Sequence, residues 1–215
     1  MIQRGAFIVF EGLDRCGKTT QVDKLAERLR ADGKEVKGMK FPDRTTPIGQ
    51  TINAYLLSQT EMDDRAIHLL FAANRWECAK SIEEDLAKGV TIIADRYAFS
   101  GIAFSAAKGL DRSWLATPDT GLPAPDLILY LTLPTSTAST RGSYGEERYE
   151  SLAMQQRVKE EFMRVQERVE GFAGRSGRWV EVDADGTIEL VSERIGDVVD
   201  RLEAGVLGEV KRLWV

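Results

Sequence analysis

Short unbroken apolar runs alternate along the chain with stretches whose apolar positions recur every three or four residues. The runs at residues 6–10, 90–94 and 127–133 have the length and composition of buried strands. Residues 35–40 form a weaker strand candidate closed by Pro42, and residues 179–182 a fifth. Between them, residues 19–31 place Val22, Leu25, Ala26 and Leu29 on one helical face and stop at Asp32-Gly33. Pro47 opens a second helix carrying Ile48, Ile52, Tyr55 and Leu56. Asp63 or Asp64 caps a longer one expected over residues 63–80. Residues 152–172 and 187–202 complete the helical set, and Gly121, Pro123 and Pro125 mark a loop before the strand at 127. Strand and helix alternation of this kind predicts an α/β fold, a five-stranded parallel sheet flanked by helices. No repeat and no Pro-, Gly- or Ser-rich linker divides the chain, so residues 1–215 are expected to form one domain.

Composition narrows the partners. With 29 basic and 34 acidic side chains the 215 residues carry a net charge of −5, which argues against a general nucleic-acid coat or a polybasic membrane binder. Two cysteines, Cys16 and Cys78, and one histidine, His68, are too few for a disulfide framework or a zinc site. No apolar run approaches the roughly 18 residues of a membrane span, and with the first strand so near the N-terminus no signal peptide is expected. The expectation is a cytoplasmic protein, with additional nuclear residence left open.

Residues 12–19, Gly12-Leu13-Asp14-Arg15-Cys16-Gly17-Lys18-Thr19, match G-x-x-x-x-G-K-[ST] without a mismatch, between a strand and a helix. The chemistry explains each fixed position. Glycines let backbone N–H groups turn inward around phosphate oxygens, Lys18 brings a charge to the β- and γ-phosphates, and the Thr19 hydroxyl can ligate Mg²⁺. The helix N-terminus adds its dipole. This is a nucleotide-phosphate site, which leaves GTPases, ATPases and small kinases open. A guanine-reading N-K-x-D is absent and the chain is short for a motor ATPase, so a small kinase moves ahead.

Three further segments hold polar residues where packing alone would not place them. Phe41-Pro42-Asp43-Arg44 follows the second strand, at the edge where α/β ligands bind. Phe71 and Arg75 are four apart on one helix face, so one can stack on a base while the other hydrogen-bonds its edge. Asp95-Arg96-Tyr97 brings a carboxylate and a guanidinium out of a buried strand together. Arg15 supplies a cation inside the phosphate loop, the kind of charge phosphoryl transfer places against the equatorial oxygens. Cys16, beside a helix N-terminus and Lys18, has surroundings that would lower a thiol pKa; the bland alternative is a small inert residue. Packing is also the ordinary fate of Phe71, and surface ion pairing that of Arg44 and Arg96.

These segments, with the glycine-rich loop, closely resemble thymidylate kinases of the eukaryotic and poxvirus type. The resemblance extends through Ala98-Phe99-Ser100-Gly101, Gly121-Leu122-Pro123-Ala124-Pro125-Asp126-Leu127, Glu147-Arg148-Tyr149-Glu150 and the tail from Leu207-Gly208-Glu209 to Leu213-Trp214, so it covers nearly the whole chain in order. It implies transfer of the ATP γ-phosphoryl group to dTMP, giving dTDP for dTTP synthesis, with Mg²⁺ as cofactor and a homodimer as the assembly. Carried over position by position, it implies that Arg44 and Arg96 hold the acceptor phosphate. Phe41 and Phe71 would line the dTMP site, Phe71 against thymine, with Arg75 on a thymine carbonyl. Ser100 and Gly101 would lie along the base, Asp14 near the 3′-hydroxyl, and Tyr149 and Gln155 near the sugar and lid. Asp14, Arg15, Cys16, Gly17, Lys18, Thr19 and Thr20 would bind ATP phosphates, joined by Arg141 at the start of a lid over about 141–152. Thr19 and Asp95 would serve the metal, Asp95 through water, and Arg15, Lys18, Arg96 and Asp95 would be the catalytic set. Residues 141–150 hold two arginines against three glutamates, a net charge of −1. An acidic lid beside a basic phosphate loop resembles the eukaryotic arrangement. The helices around 67–79 and 100–107 are the expected dimer surfaces.

Two other functions stay open at this point. A deoxynucleoside kinase or another monophosphate kinase would differ in its acceptor; a hydroxyl acceptor needs a carboxylate base after the second strand, where Arg44 instead suits a phosphate. A nucleotide-binding regulator without catalysis is the third reading, although Lys18, Thr19, Arg15 and Asp95 are all present.

Overall fold

A computed structural model describes residues 4–134, 148–149, 151–171, 178–203 and 207–215. Arg141 and most of the expected lid lie outside these residues. In chain order the elements are β1 (Phe7–Gly12), α1 (Lys18–Ala31), β2 (Val36–Lys40), α2 (Pro47–Leu56), α3 (Asp64–Ala87), β3 (Thr91–Asp95), α4 (Ala98–Ala106), α5 (Arg112–Ala116), a 3-10 turn (Thr117–Asp119), β4 (Leu127–Thr132), α6 (Leu152–Gly171), β5 (Arg178–Asp183) and α7 (Ile188–Glu203). The strands form one sheet in the order β2-β3-β1-β4-β5, every pair parallel.

The unbroken apolar runs exist because the central strands are covered on both faces. In β1, Phe7 and Val9 point into a core shared with α3, α4 and α6, while Ile8 and Phe10 point the other way, toward α1 and α7. β4 divides likewise, Ile128 and Tyr130 against Leu127, Leu129 and Leu131. The lateral strands β2 and β5 are mostly half-buried or exposed, so their sequence signal is weaker. Among the described residues no helix is long and apolar enough to cross a membrane.

Two expectations need correction. α3 continues to Ala87, because Ile82 and Leu86 keep the helical spacing and are fully buried beneath the charged Glu83-Glu84-Asp85 run. The apolar side chains of α4 are mostly packed inside the chain's own core, Phe99 and Ala103 completely, so that helix offers little apolar surface for an interface. α3 does expose Leu69 and Trp76, two helical turns apart.

The crossover from β1 to β2 and the crossover from β3 to β4 leave the adjacent strands β1 and β3 in opposite directions across the sheet, and the cleft opens there, outside the carboxyl ends of the strands. β1 feeds the phosphate loop, β2 ends beside Phe41, and β3 delivers Asp95 and Arg96.

Candidate active site

The loop between β1 and α1 depends on backbone that few side chains tolerate. Gly12 adopts φ 141°, and a Cβ there would meet the Leu131 carbonyl oxygen at 2.6 Å. Gly17, with φ 96°, precedes α1, and no side chain caps that helix. Its first amides therefore remain directed at the loop, where an anion is favoured. Arg15 is left-handed at φ 63°, and so is Arg96 at φ 70°. Each conformation costs about 1–3 kcal/mol for a residue with a Cβ, and here both place an arginine on the same cleft.

That cleft, about 560 Å³, gathers most of the predicted residues. Asp14, Arg15, Gly17, Lys18, Thr19, Thr20, Asp95 and Arg96 line its phosphate-loop end. Phe41, Arg44, Phe71, Arg75, Ser100, Gly101 and Tyr149 line the remainder. Of the described candidates, Cys16 and Gln155 are set back from it. Cys16 is 2% exposed and packs in the core under the loop, which favours the inert reading of its thiol.

The cations are held in place by named acceptors. Lys18 Nζ donates to the carbonyl of Leu13 at 2.6 Å and to that of Gly12 at 3.3 Å. Arg96 donates from Nη1 to the Gly12 carbonyl and to Ser100 Oγ, both at 2.9 Å, and from Nη2 to Asp14, while its plane covers the Phe104 ring at 5.2 Å. Arg44 donates to Asn53 Oδ1 at 2.8 Å. Burial pushes the Asp14 carboxyl up, but Arg96 and then Lys18 outweigh it and hold it below its ordinary 3.8. Gln155 of α6 grips Asp14 twice, accepting from its amide at 3.0 Å and donating to Oδ2 at 2.7 Å. Gln155 thus acts on the site through Asp14. Thr19 Oγ1 donates to Asp95 Oδ2 at 2.5 Å, which places two hard oxygen groups together at the end of the phosphate loop.

At the opposite end Arg75 is buried, donating from Nε at 2.9 Å and Nη2 at 2.7 Å to the two carboxylate oxygens of Asp119. A Cβ on Gly101 would stand 3.0 Å from Arg75 Nη2, so glycine lets α4 approach the guanidinium. Phe71 is half-buried against Ile52, Tyr55, Leu56 and Ile67, with one face left to the cleft. Phe41 is buried against the Tyr97 ring, centroids 5.4 Å apart. Tyr149 packs on Tyr55 and Phe104, and its neighbour Arg148 reaches back to Glu61 and the Tyr55 carbonyl.

A family model described as thymidylate kinase matches residues 10–195. The chain belongs to the thymidylate kinase family. It is 49% identical to the thymidylate kinase of Schizosaccharomyces pombe over 199 residues, 93% of each protein. Against the human thymidylate kinase the identity is 45% over 194 residues, 90% of this chain and 89% of that one. The solved structure of thymidylate kinase from Candida albicans superposes with a TM-score of 0.87 at 37% identity, covering 99% of this chain and all of that one.

Three side chains that organise this thymidylate kinase fold around its cleft escaped the sequence reading. Glu11 is fully buried; its Oε1 accepts from the amides of Tyr97 and Ser100, both at 3.0 Å, and Oε2 accepts from Ser100 Oγ. It caps α4 from a neighbouring strand, since Tyr97 supplies no side-chain cap. Burial is the largest influence on Glu11 and raises its pKa, against the pull of Arg96 and the Ser100 hydrogen bonds. A lone carboxylate inside Phe7-Ile8-Val9-Phe10-Glu11-Gly12 was the available signal. Asn74, fully buried, clamps the turn carrying Arg44 by accepting from the Asp43 amide at 2.7 Å and donating to its carbonyl at 3.1 Å. Asp119 is the third.

Proposed function

We infer that the chain is a dTMP kinase, a phosphotransferase moving the γ-phosphoryl group of ATP onto the 5′-phosphate of dTMP to give dTDP, within the supply of dTTP. The observation that carries this reading is one cleft joining a cationic phosphate loop to an aromatic and guanidinium wall. Family membership at 45–49% identity supports the enzyme class and its use of ATP.

The acceptor is a phosphate monoester with a second pKa of about 6, already largely ionised at neutral pH. It therefore needs no general base, which agrees with a site lacking histidine: His68 is buried between Ser105 Oγ and the Leu115 carbonyl. Catalysis reduces to alignment and charge neutralisation. Arg15 faces the transferring group, Lys18 exchanges the Leu13 carbonyl for phosphate oxygens, and Arg96 and Arg44 orient the acceptor. Phe71 stacks on thymine and Arg75 donates to a base carbonyl. Thr19 and Asp95 fit a magnesium site: Thr19 would offer its hydroxyl oxygen and Asp95 would act through water, and since no cluster of three potential metal-ligating side chains occurs among the described residues, phosphates and water would supply the other oxygens. When bound, magnesium neutralises charge on the β- and γ-phosphate oxygens. Gly17 and Thr20 border the ATP phosphates, and Arg141 at the start of the lid is assigned beside ATP.

The hydroxyl-acceptor alternative loses ground at the β2 edge. Asp43 is absent from the cleft lining, and its carboxylate accepts from the Thr45 amide at 3.0 Å and hydroxyl at 2.6 Å. We assign one domain, a cytoplasmic or nuclear setting and a homodimer formed through the Leu69 and Trp76 face of α3. The reaction is tested by diphosphate formation from ATP and Mg²⁺ with dTMP, dUMP, UMP, CMP, AMP, GMP and thymidine side by side. Strong preference for dTMP is expected; preference for thymidine or AMP would overturn the acceptor assignment while keeping the phosphate loop.

A further inference from the structure

Asp119 lies outside every motif that points to chemistry, on a three-residue 3-10 turn 44 positions after Arg75, yet it is fully buried. Its two oxygens take the Nε and Nη2 donors of Arg75 in a fork, with side-chain exposures of 3% for Arg75 and 0% for Asp119. That leaves Nη1, which has no hydrogen-bond partner among the described residues, at the cleft wall beside Gly101. The carboxylate is the fixed member of the pair. The preceding Pro118 carbonyl accepts from the Trp76 indole at 2.8 Å, and the Leu122 amide donates to the Asp119 carbonyl at 3.2 Å. The next turn is then held to the C-terminal tail by the Gly121 amide on the Leu213 carbonyl at 3.0 Å and the Leu213 amide on the Leu122 carbonyl at 2.9 Å. A long arginine side chain free to rotate would present its donors in many directions; one clamped by a bidentate pair presents Nη1 in a single direction.

We propose that Asp119 is a specificity-positioning residue, setting the direction in which Arg75 offers a hydrogen bond to the carbonyl-bearing edge of the acceptor base. This rests on the assignment of the cleft to a thymidine monophosphate acceptor. Asp119 touches no substrate; it acts through Arg75. Its loss therefore raises the KM for dTMP and leaves the KM for ATP and the turnover at saturation nearly unchanged, a split that general loosening of the fold would not give.

The test compares Asp119→Asn, Arg75→Gln and the double variant in steady-state kinetics with dTMP and ATP varied separately. Losing one well-aimed charge-assisted hydrogen bond predicts a rise of about tenfold in the dTMP KM for each single variant. The double variant should match Arg75→Gln, because Asp119 then has nothing to orient. If Asp119→Asn does not fold, Asp119→Glu keeps the charge while displacing the carboxylate by one methylene: a raised dTMP KM in that variant is then the expected result, and a parental one overturns the proposal. A raised dTMP KM in Arg75→Gln with a parental value in folded Asp119→Asn overturns the proposal alone. So does a double variant differing more than about threefold from Arg75→Gln, because Asp119 would then affect dTMP by a route that does not pass through Arg75. Parental dTMP KM in Arg75→Gln overturns the base-reading role of Arg75 and the proposal with it.

Discussion

The two ends of the cleft hold their cations in different ways. At the phosphate loop, Arg15 and Arg96 stand on left-handed backbone, and Lys18 and Arg96 are satisfied mainly by loop carbonyls, a hydroxyl and a partly exposed carboxylate. Those partners can be exchanged for phosphate oxygens at modest cost. At the base end, Arg75 is locked on a regular helix by a buried carboxylate whose own turn is pinned on both sides. Charge that must follow a moving phosphoryl group is kept exchangeable, whereas a donor that reads shape is kept rigid. On the proposed function the first arrangement would serve turnover and the second selection.

On that division, substitutions at the two ends should separate in kcat and KM. The largest effect is expected for Lys18→Ala, a fall of about three orders of magnitude in turnover, measured as diphosphate formation at saturating dTMP. Glu11→Ala tests the wall between the ends. It strips the amides of Tyr97 and Ser100 of their shared acceptor and should cost about 2–4 kcal/mol in urea unfolding, with Glu11→Gln recovering most of it because its carbonyl can still accept both. The smallest effect concerns His68, outside the cleft. Burial, opposed by its bond to the Leu115 carbonyl, lowers its pKa below 6.5. A depressed histidine contributes stability that is complete above pH 6.5 and is lost as pH falls through its folded value. His68→Gln should flatten that acid loss in thermal melts without altering activity; an unchanged slope would remove His68 as its source.

The sequence already spoke clearly where one short segment carries a whole function. The phosphate loop needs eight consecutive residues, and Phe71 with Arg75 needs one helical turn, so both were legible. β1 and β4 were legible because burial on two faces leaves no polar position to blur the run. Asp119 was not, since its meaning depends on a partner on another element and on a turn too short to show periodicity. Glu11 and Asn74 are likewise defined by what the fold brings to them; alone, each is one polar letter in an apolar or amphipathic run. The far end of α3 was missed because its charged positions outnumber the two apolar ones that anchor it. Ser100 was found as a cleft residue, while its hydroxyl proved to link Glu11 with Arg96.

The division between the ends is tested most directly by measuring kcat and the dTMP KM for Arg15→Gly beside Phe71→Ala. Glycine is at ease at the φ of 63° that Arg15 adopts, so the first variant removes charge without disturbing the loop. Arg15→Gly should lower kcat about a thousandfold with little change in dTMP KM, and Phe71→Ala should raise that KM about tenfold with kcat nearly kept. Equal changes in both parameters for both variants would contradict the division. So would an unaltered kcat in Arg15→Gly, which would take Arg15 out of catalysis.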